Sequence, residues 1–559
     1  MKKTGAEIIV ESLKEEKIEC MFGYPGGVVI PIFHHLFNAP FKFILARHEQ
    51  GAVHAADGYA RASGRVGVVI ATSGPGATNL VTGIATANMD SVPLVIFTGQ
   101  VSREMIGNDA FQEADITGIT RPITKHNYLV QDINDLARTI KEAFYIASTG
   151  RPGPVVIDVP VDISKGETKF HYPEKAVIRS YKPVTEGHPR QIQKACRLIE
   201  SSKRPVIYSG GGVIISNASE ELRNFVKKTG IPITTTLMGL GAYPETDPLS
   251  LKMLGMHGTY YANHAVNECD LLIAVGARFD DRVTGKVSEF ATGAQVIHID
   301  IDPSSVQKSV EVDVPIVGDC RLVLAEINKS VKAPQIGPWV DRLMKMKAEN
   351  PLNYRDSESV IKPQYVVEKI DELTEGKAII CTEVGQNQMW AAQFYDYTEP
   401  RSFISSGGLG TMGYGFPAAI GAQLARPDSR VFDIAGDGSI QMNIQEMIVA
   451  VQHRLPIIIT ILNNGFLGMV RQWQQLFWDK RYSHTCINFQ PDFVKLAEAY
   501  GAMGIRVDHK KDVVPALQKA LSVTDRPIVL DIHVDREENV YPIIPAGKSV
   551  KEMITSELI

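Results

Sequence analysis

Two hard oxygen donors sit where two strand-like runs end. The run RVFDIA at 430–435 passes directly into Gly436-Asp437-Gly438-Ser439, and IIITIL at 457–462 passes into Asn463-Asn464. A carboxylate at the end of one parallel strand and an amide at the end of a nearby one can converge on a single point. With a main-chain carbonyl, two phosphate oxygens and a water they complete an octahedral Mg2+ site. The flanking glycines let the backbone come close to a diphosphate. Taken separately, G-D-G is a common turn and N-N-G a hairpin signal. Their spacing and strand context give them weight.

A second candidate set lies near the N-terminus. In FILARHEQGAVHAADGYAR, Glu49 follows a strand-like run and opens a helix-like segment rich in alanine. In TSGPGATN at 72–79, Gly74, Pro75 and Gly76 form a tight loop with little side-chain bulk after the strand-like VGVVIA. Alone, the glutamate reads as a solvated charge and the loop as a turn.

Elements able to position both sets recur along the chain. Short β-branched runs alternate with amphipathic helical segments in three blocks: VGVVIA, PLVIFTG and PVVIDVP; then PVIYSGGG, LLIAVGAR and VIHIDID; then KAIICTEVG, RVFDIAGDG, IIITILNN and IVLDIHV. That rhythm predicts parallel sheets covered by helices on both faces. Polar stretches around 165–190 and 335–365 separate the blocks. The expected architecture is α/β, three doubly wound parallel-sheet domains at 1–180, 190–340 and 360–559. The length of 559 residues agrees with three domains at roughly 100–200 residues each. In the middle block Gly210-Gly211-Gly212 follows a strand, which suits a dinucleotide, although it is not a G-x-G-x-x-G.

Composition narrows the class. Hydrophobic residues are 44% and charged residues 22%, so several ordinary cores can be built. A net charge of -5 without long runs of one sign argues against nucleic acid as a partner. No run of about 18 apolar residues exists, so no membrane span is expected. The N-terminus interleaves Glu7, Glu11, Glu15 and Glu16 with apolar residues and lacks a signal-peptide core. Six scattered cysteines read as free thiols, and the expected location is cytoplasmic.

GDG followed about 25–30 residues later by NN resembles the diphosphate-and-metal motif of thiamine-diphosphate enzymes. Within that superfamily, FGYPGG at 22–27, NDAFQEAD at 108–115, LGMHGTYYANHAVNECDLLIAVGARFDDRVTG at 254–285 and GMVRQWQ at 468–474 resemble the biosynthetic acetohydroxyacid synthases. The likeness extends over essentially the whole chain. Catabolic acetolactate synthase and pyruvate oxidase are the alternatives, and ARFDDR and RQWQ argue against both.

The resemblance implies thiamine diphosphate, Mg2+ and a structural, non-redox FAD. It implies a pyrimidine-binding first domain, an FAD-binding middle domain and a diphosphate-binding third domain. The implied reaction decarboxylates pyruvate and condenses the two-carbon remainder with pyruvate or 2-ketobutyrate, the first common step of branched-chain amino-acid biosynthesis. Asp437, Asn464 and the carbonyl of Phe466 are the implied metal ligands. Glu49 is implied to exchange a proton with N1′ of the aminopyrimidine. Gly27 offers a main-chain N–H near the thiazolium, with Gly26 one register away, and Gln112 lies near the reacting carbon. Gly74 lies at the pyrimidine end, Met412 under the cofactor, and Gln386, Gly438 and Ser439 at the diphosphate. Arg151, His257, Arg278, Asp300 and Asp319 are implied FAD contacts. Arg282, Trp473 and Phe111 surround the second substrate. A homo-oligomer with its active site between chains is implied, as is a small regulatory subunit in many relatives. Val161, Asn387 and Val28 depart from the family pattern.

Overall fold

The computed structural model describes residues 2–555. It contains three six-stranded sheets in which every neighbouring pair is parallel. In the first, the spatial order is Lys42–Leu45, Cys20–Gly23, Gly67–Ala71, Leu94–Gln100, Pro154–Pro160, His126–Leu129. In the third it is Phe403–Ile404, Ile379–Thr382, Val431–Gly436, Ile458–Asn463, Ile528–His533, Met503–Val507. With strands counted along the chain, both sheets have the same order, 2-1-3-4-6-5. The central strands of both are buried at nearly every position, which explains why they read as continuous apolar runs and not as alternating ones.

The middle sheet runs Ser250–Met253, Ile233–Thr235, Pro205–Ser209, Leu271–Val275, Gln295–Asp300, Val314–Val317. Counted along the chain this is 3-2-1-4-5-6, the dinucleotide-binding order. Its switch point lies between Pro205–Ser209 and Leu271–Val275. A two-stranded antiparallel ribbon of Lys2–Thr4 with Glu167–Lys169 closes the start of the first domain.

The expected boundary at 340 falls inside an element. Helix Gly337–Glu349 buries Trp339 and Leu343 in the middle core, and the Trp339 indole donates to Pro205 O at 3.1 Å. The middle domain therefore includes this whole helix. The third segment also does not stay on its own sheet. After Ile528–His533 the chain returns to the middle domain, where Ile544 N donates to Met256 O at 2.8 Å and Lys286 N to Lys548 O at 3.0 Å.

The first and third domains share one core. Its centre is helix Glu49–Ser63 (EQGAVHAADGYARAS) laid on helix Gly415–Ala425 (GFPAAIGAQLA). Small residues let the two backbones nearly touch. A β-carbon at Gly421 would fall 1.8 Å from Ala55 O, and one at Gly58 would fall 2.1 Å from Ala418 O. Polar ties flank the contact. Arg61 pairs with Asp57 at 2.6 Å and Asp90 at 2.9 Å, and Tyr414 donates its hydroxyl to Asp57. Asp90 in turn accepts from Gly407 N and Gly408 N. Among the described residues no helix is long and apolar enough to cross a membrane.

Gly421→Val is expected to lower unfolding stability by about 3 kcal/mol, because neither backbone can retreat without opening the shared core. Denaturant unfolding of this variant beside Leu424→Ala, a change at a partly buried contact of the same helix, checks this; equal small losses would mean that the helices can separate freely.

Candidate active site

Asp437 and Asn464 leave adjacent parallel strands, Val431–Gly436 and Ile458–Asn463, which pair in register through Gly436 and Leu462. Both side chains are buried. They converge on one turn: Gly465 N donates to Asp437 Oδ2 at 3.1 Å, and Phe466 N to Asn464 Oδ1 at 3.0 Å. Burial pushes the Asp437 carboxyl up to about 7, and only main-chain N–H groups offset it. A buried carboxylate offset only by main-chain N–H groups, beside an amide oxygen at the end of the next strand, is a donor pair suited to a hard divalent ion. Gly438 packs closely on Leu467, and Ser439 Oγ closes the turn onto Gly436 N at 3.1 Å.

Gln386 opens helix Gln386–Phe394. Its buried amide is fully engaged, accepting from Asn464 Nδ2 at 3.3 Å and donating to Gln472 Oε1 and Glu538 O, both at 2.9 Å. Asn387, one of the departures from the family pattern, is also buried and donates to Ile434 O at 2.8 Å. Gln472 lies in helix Gly468–Phe477, which also carries Trp473. The buried Arg471 ties this helix to Glu537 O, Glu538 O and Asn539 Oδ1. An amide chain therefore runs from the Asn464 end of the site to the Trp473 helix. Gln472 and Arg471 lie inside the RQWQ stretch, where the resemblance points to Trp473 alone.

The second cluster collects at the carboxyl edge of the first sheet. Glu49 is the first residue of its helix, and Asn79 Nδ2 donates to Glu49 Oε2 at 3.0 Å. Gly76 lies against Glu49, where a β-carbon would come 3.3 Å from Oε1. Gly74 has φ +56° and backs onto Gln112, itself at φ +57°; a β-carbon on Gly74 would fall 2.7 Å from Gln112 O. A β-carbon on Gly26 would fall 2.4 Å from Thr72 Cβ, whereas Gly27 faces open space. A side chain would therefore be accommodated at Gly27 and not at Gly26. Phe111, next to Gln112, is 88% exposed. Among the described residues no hydrogen bond or ion pair joins this cluster to Asp437 or Asn464.

One residue without a local sequence signal holds Glu49 in place. Glu446, from the third domain, accepts from Arg47 N at 2.9 and 3.1 Å and from His48 N at 2.9 Å. It thereby satisfies donors at the start of the helix that Glu49 opens. The partners are 399 and 398 residues apart in sequence.

A cavity of about 690 Å³ lies at the switch point of the middle sheet and extends to the third domain. Arg151, His257, Arg278, Asp300 and Asp319 line it together with Gly210, Gly211 and Gly212, as do Met412, Arg282 and Trp473. Arg151 is oriented by Ser91 at 2.8 Å and Asp302 at 3.3 Å. His257 is buried against Pro542 O at 3.3 Å, and burial holds it down to about 4, so it is neutral at ordinary pH. Asp319 caps helix Cys320–Ser330 through Arg321 N and Leu322 N. The size, the strand order and the glycine-lined wall fit a dinucleotide such as FAD. At the other end the Arg282 guanidinium lies 6.0 Å from the Trp473 ring centre. Trp473 Nε1 is buried without a hydrogen-bond partner.

Glu446 supplies a pH test. Burial pushes its carboxyl up to about 7, the N–H groups of Arg47 and His48 pull it back, and the charge of Glu49 adds to the rise. An acid raised on folding binds more protons in the native state than in the unfolded one, so its contribution to stability is lost as pH rises from about 4.5 to about 7. Wild type is expected to lose stability relative to Glu446→Gln over that window. Parallel unfolding curves at every pH would exclude this.

The first, middle and third domains match the thiamine pyrophosphate enzyme N-terminal binding domain over residues 3–119, the central domain over 192–327 and the C-terminal binding domain over 383–532. The chain is 51% identical to the acetolactate synthase large subunit of Corynebacterium glutamicum, over 98% of this chain and 89% of the relative. It is 49% identical to the acetolactate synthase large subunit of Haemophilus influenzae, over 100% of this chain and 99% of the relative. It is 48% identical to the corresponding subunit of Buchnera aphidicola, over 98% of each. With near full-length identity of this order and all three domains matched in sequence, the chain belongs to the thiamine pyrophosphate enzymes, in the acetolactate synthase large-subunit family.

Proposed function

We propose that this chain takes pyruvate, releases CO2, and joins the remaining two-carbon unit to the 2-carbonyl of a second keto acid. Pyruvate as acceptor yields 2-acetolactate, and 2-ketobutyrate yields 2-aceto-2-hydroxybutyrate. The observation that carries this reading is Arg282 poised beside the Trp473 indole on the wall of the cavity that Met412 also lines. A planar guanidinium binds a carboxylate with two parallel hydrogen bonds, and an indole face suits a short alkyl group.

Thiamine diphosphate, when bound, supplies the electron sink that decarboxylation of a 2-keto acid needs. Asp437, Asn464 and the carbonyl of Phe466 would hold Mg2+, which neutralises the diphosphate; Gln386, Gly438 and Ser439 border that end. Glu49, oriented by Asn79, would hold and exchange a proton at N1′ of the aminopyrimidine. Gly74 would leave room for the ring, Gln112 would border the reacting carbon, and the main-chain N–H of Gly27 would face developing negative charge. Arg151, His257, Arg278, Asp300 and Asp319 would hold FAD. The condensation has no net redox change, so FAD there is structural.

The exposed Phe111 beside Gln112 leaves an aromatic face that a second chain can cover, which supports a site shared between two chains. A small regulatory subunit is the further partner that the "large subunit" relatives suggest. Six free cysteines agree with a cytoplasmic location.

Carboligation assays with and without Mg2+ and thiamine diphosphate test the reading; turnover independent of both would sink it. Dissociated and remixed Glu49→Ala and Asp437→Ala chains should regain activity, because one hybrid site of two is intact; mixtures that stay inactive while wild-type chains recover would refute the shared site. In competition between the two acceptors, Trp473→Leu should lower the share of 2-aceto-2-hydroxybutyrate. One methylene in an apolar pocket is worth about 1–3 kcal/mol. Arg282→Lys should slow both products without changing their ratio, because both acceptors carry the carboxylate. An unchanged product ratio in Trp473→Leu removes Trp473 from the specificity pocket.

A further inference from the structure

Beneath the loop that carries Met412 lie two acids that the catalytic reading does not use. Glu383 and Asp433 are both fully buried. Asp433 pairs in register with Cys381 on the neighbouring parallel strand, and Glu383 follows Cys381 by two positions, so pleat alternation brings both side chains out on one face. Glu383 N continues the ladder to Ile434 O at 3.1 Å. Gly415 roofs the pair so closely that a β-carbon there would fall 2.4 Å from Asp433 Oδ1 and 2.5 Å from Glu383 N.

Their surroundings differ. Glu383 accepts from Gly413 N at 2.7 Å and Phe416 N at 3.1 Å, at the start of helix Gly415–Ala425, where backbone donors and the helix dipole favour an anion. Neither oxygen of Asp433 meets a donor. The other titratable groups around them are Cys381 on the same strand face, Tyr414 in the loop, and Asp57 and Arg61 on the helix behind it; Arg61 is already engaged by Asp57 and Asp90. Burial and the neighbouring Glu383 push Asp433 well above the ordinary carboxylate range. Two like charges so placed cannot both remain ionised.

We propose that Asp433 carries a proton that it donates to the ionised Glu383, and that this shared proton positions the Gly413–Phe416 turn and with it Met412. One of the two orphan Asp433 oxygens then becomes a donor, and Glu383, which already accepts from Gly413 N and Phe416 N, gains a further partner. Asn443 fixes the same turn from the far side through Gly413 O at 2.6 Å. Met412, the residue before this turn, is held at the cavity wall from both directions. Asp433 and Glu383 are positioning residues, acting on the cofactor only through the loop. The cofactor arm of this proposal rests on the reading of Met412 as the residue under thiamine diphosphate.

The proton is read directly by infrared difference spectroscopy of protein without added cofactor, comparing wild type with Asp433→Asn. The wild-type-minus-variant spectrum is expected to show the carbonyl band of one buried protonated carboxyl that the variant has lost. A carboxyl carbonyl absorption that is the same in wild type and Asp433→Asn overturns the shared proton whatever Met412 does. Positioning is read by calorimetric titration with thiamine diphosphate and Mg2+. Asp433→Ala leaves Glu383 short of a donor and is expected to weaken binding about tenfold or more, whereas Asp433→Asn restores a donor and should stay within about threefold of wild type. Wild-type affinity should fall at alkaline pH as the proton leaves Asp433, and Asp433→Asn should lose that fall. Unchanged affinity in Asp433→Ala overturns the positioning role. Met412→Ala, titrated alongside, separates the two ideas: if it binds the cofactor as wild type does, the reading of Met412 fails and not that of the acid pair. Should Asp433→Ala not fold, the infrared comparison and the pH dependence of wild type against Asp433→Asn still decide.

Discussion

The near-contact of helix Glu49–Ser63 with helix Gly415–Ala425 is the constraint from which the rest of the molecule follows. Two backbones meet at Gly58 and Gly421 with no room for a methyl group. That closeness leaves the first and third sheets, separated by an entire domain in the chain, a single core. Dispersion across such a contact is dense, and relaxing it would forfeit packing on both sides at once. It also sets the distance at which polar groups cross between domains. Asp57, Arg61, Asp90 and Tyr414 form their ties only because the helices approach this closely.

The same crossing positions the chemistry. Glu49 is the first residue of one of these helices, and Met412 precedes the other. Glu446 anchors the beginning of the first helix from the third domain, and Glu383 anchors the beginning of the second from its own sheet. Each helix start is thus held by a buried carboxylate that accepts main-chain N–H groups. Oxygen acceptors suit this place because the first N–H groups of a helix have no partner within it. The cost is two acids removed from water, and both are pushed upward by burial.

The middle domain contributes differently. Its sheet has the dinucleotide order, and its carboxyl edge faces a cavity closed by the first and third domains. Arg282 comes from this domain and Trp473 from the third, so the pair exists only where the domains meet. Side-chain hydrogen bonds along the amide chain Asn464–Gln386–Gln472 link the Trp473 helix to the strand ends that carry Asp437 and Asn464.

The order of short apolar runs determined by itself that the chain builds three parallel α/β layers, because a strand buried on both faces must be apolar throughout and a parallel neighbour requires a crossover helix. It also determined that Asp437 and Asn464 lie at strand ends, since each motif directly follows its strand. The resemblance of whole stretches, and no periodicity, singles out Arg282, Trp473 and Met412. The end of the middle domain lies beyond the expected 340 because Trp339 and Leu343 sit in a polar stretch, and only contact with the middle core reveals them as buried. Glu446, Asn79, Gln472 and the Glu383–Asp433 pair carry no local pattern that marks them. Their roles arise from partners between 30 and 399 residues away, or on a neighbouring strand, and from burial that changes what a carboxylate or amide can do. Local sequence dictates which face and which end of an element a residue occupies. Which groups then meet, and in how little water, is decided by packing between elements distant in the chain.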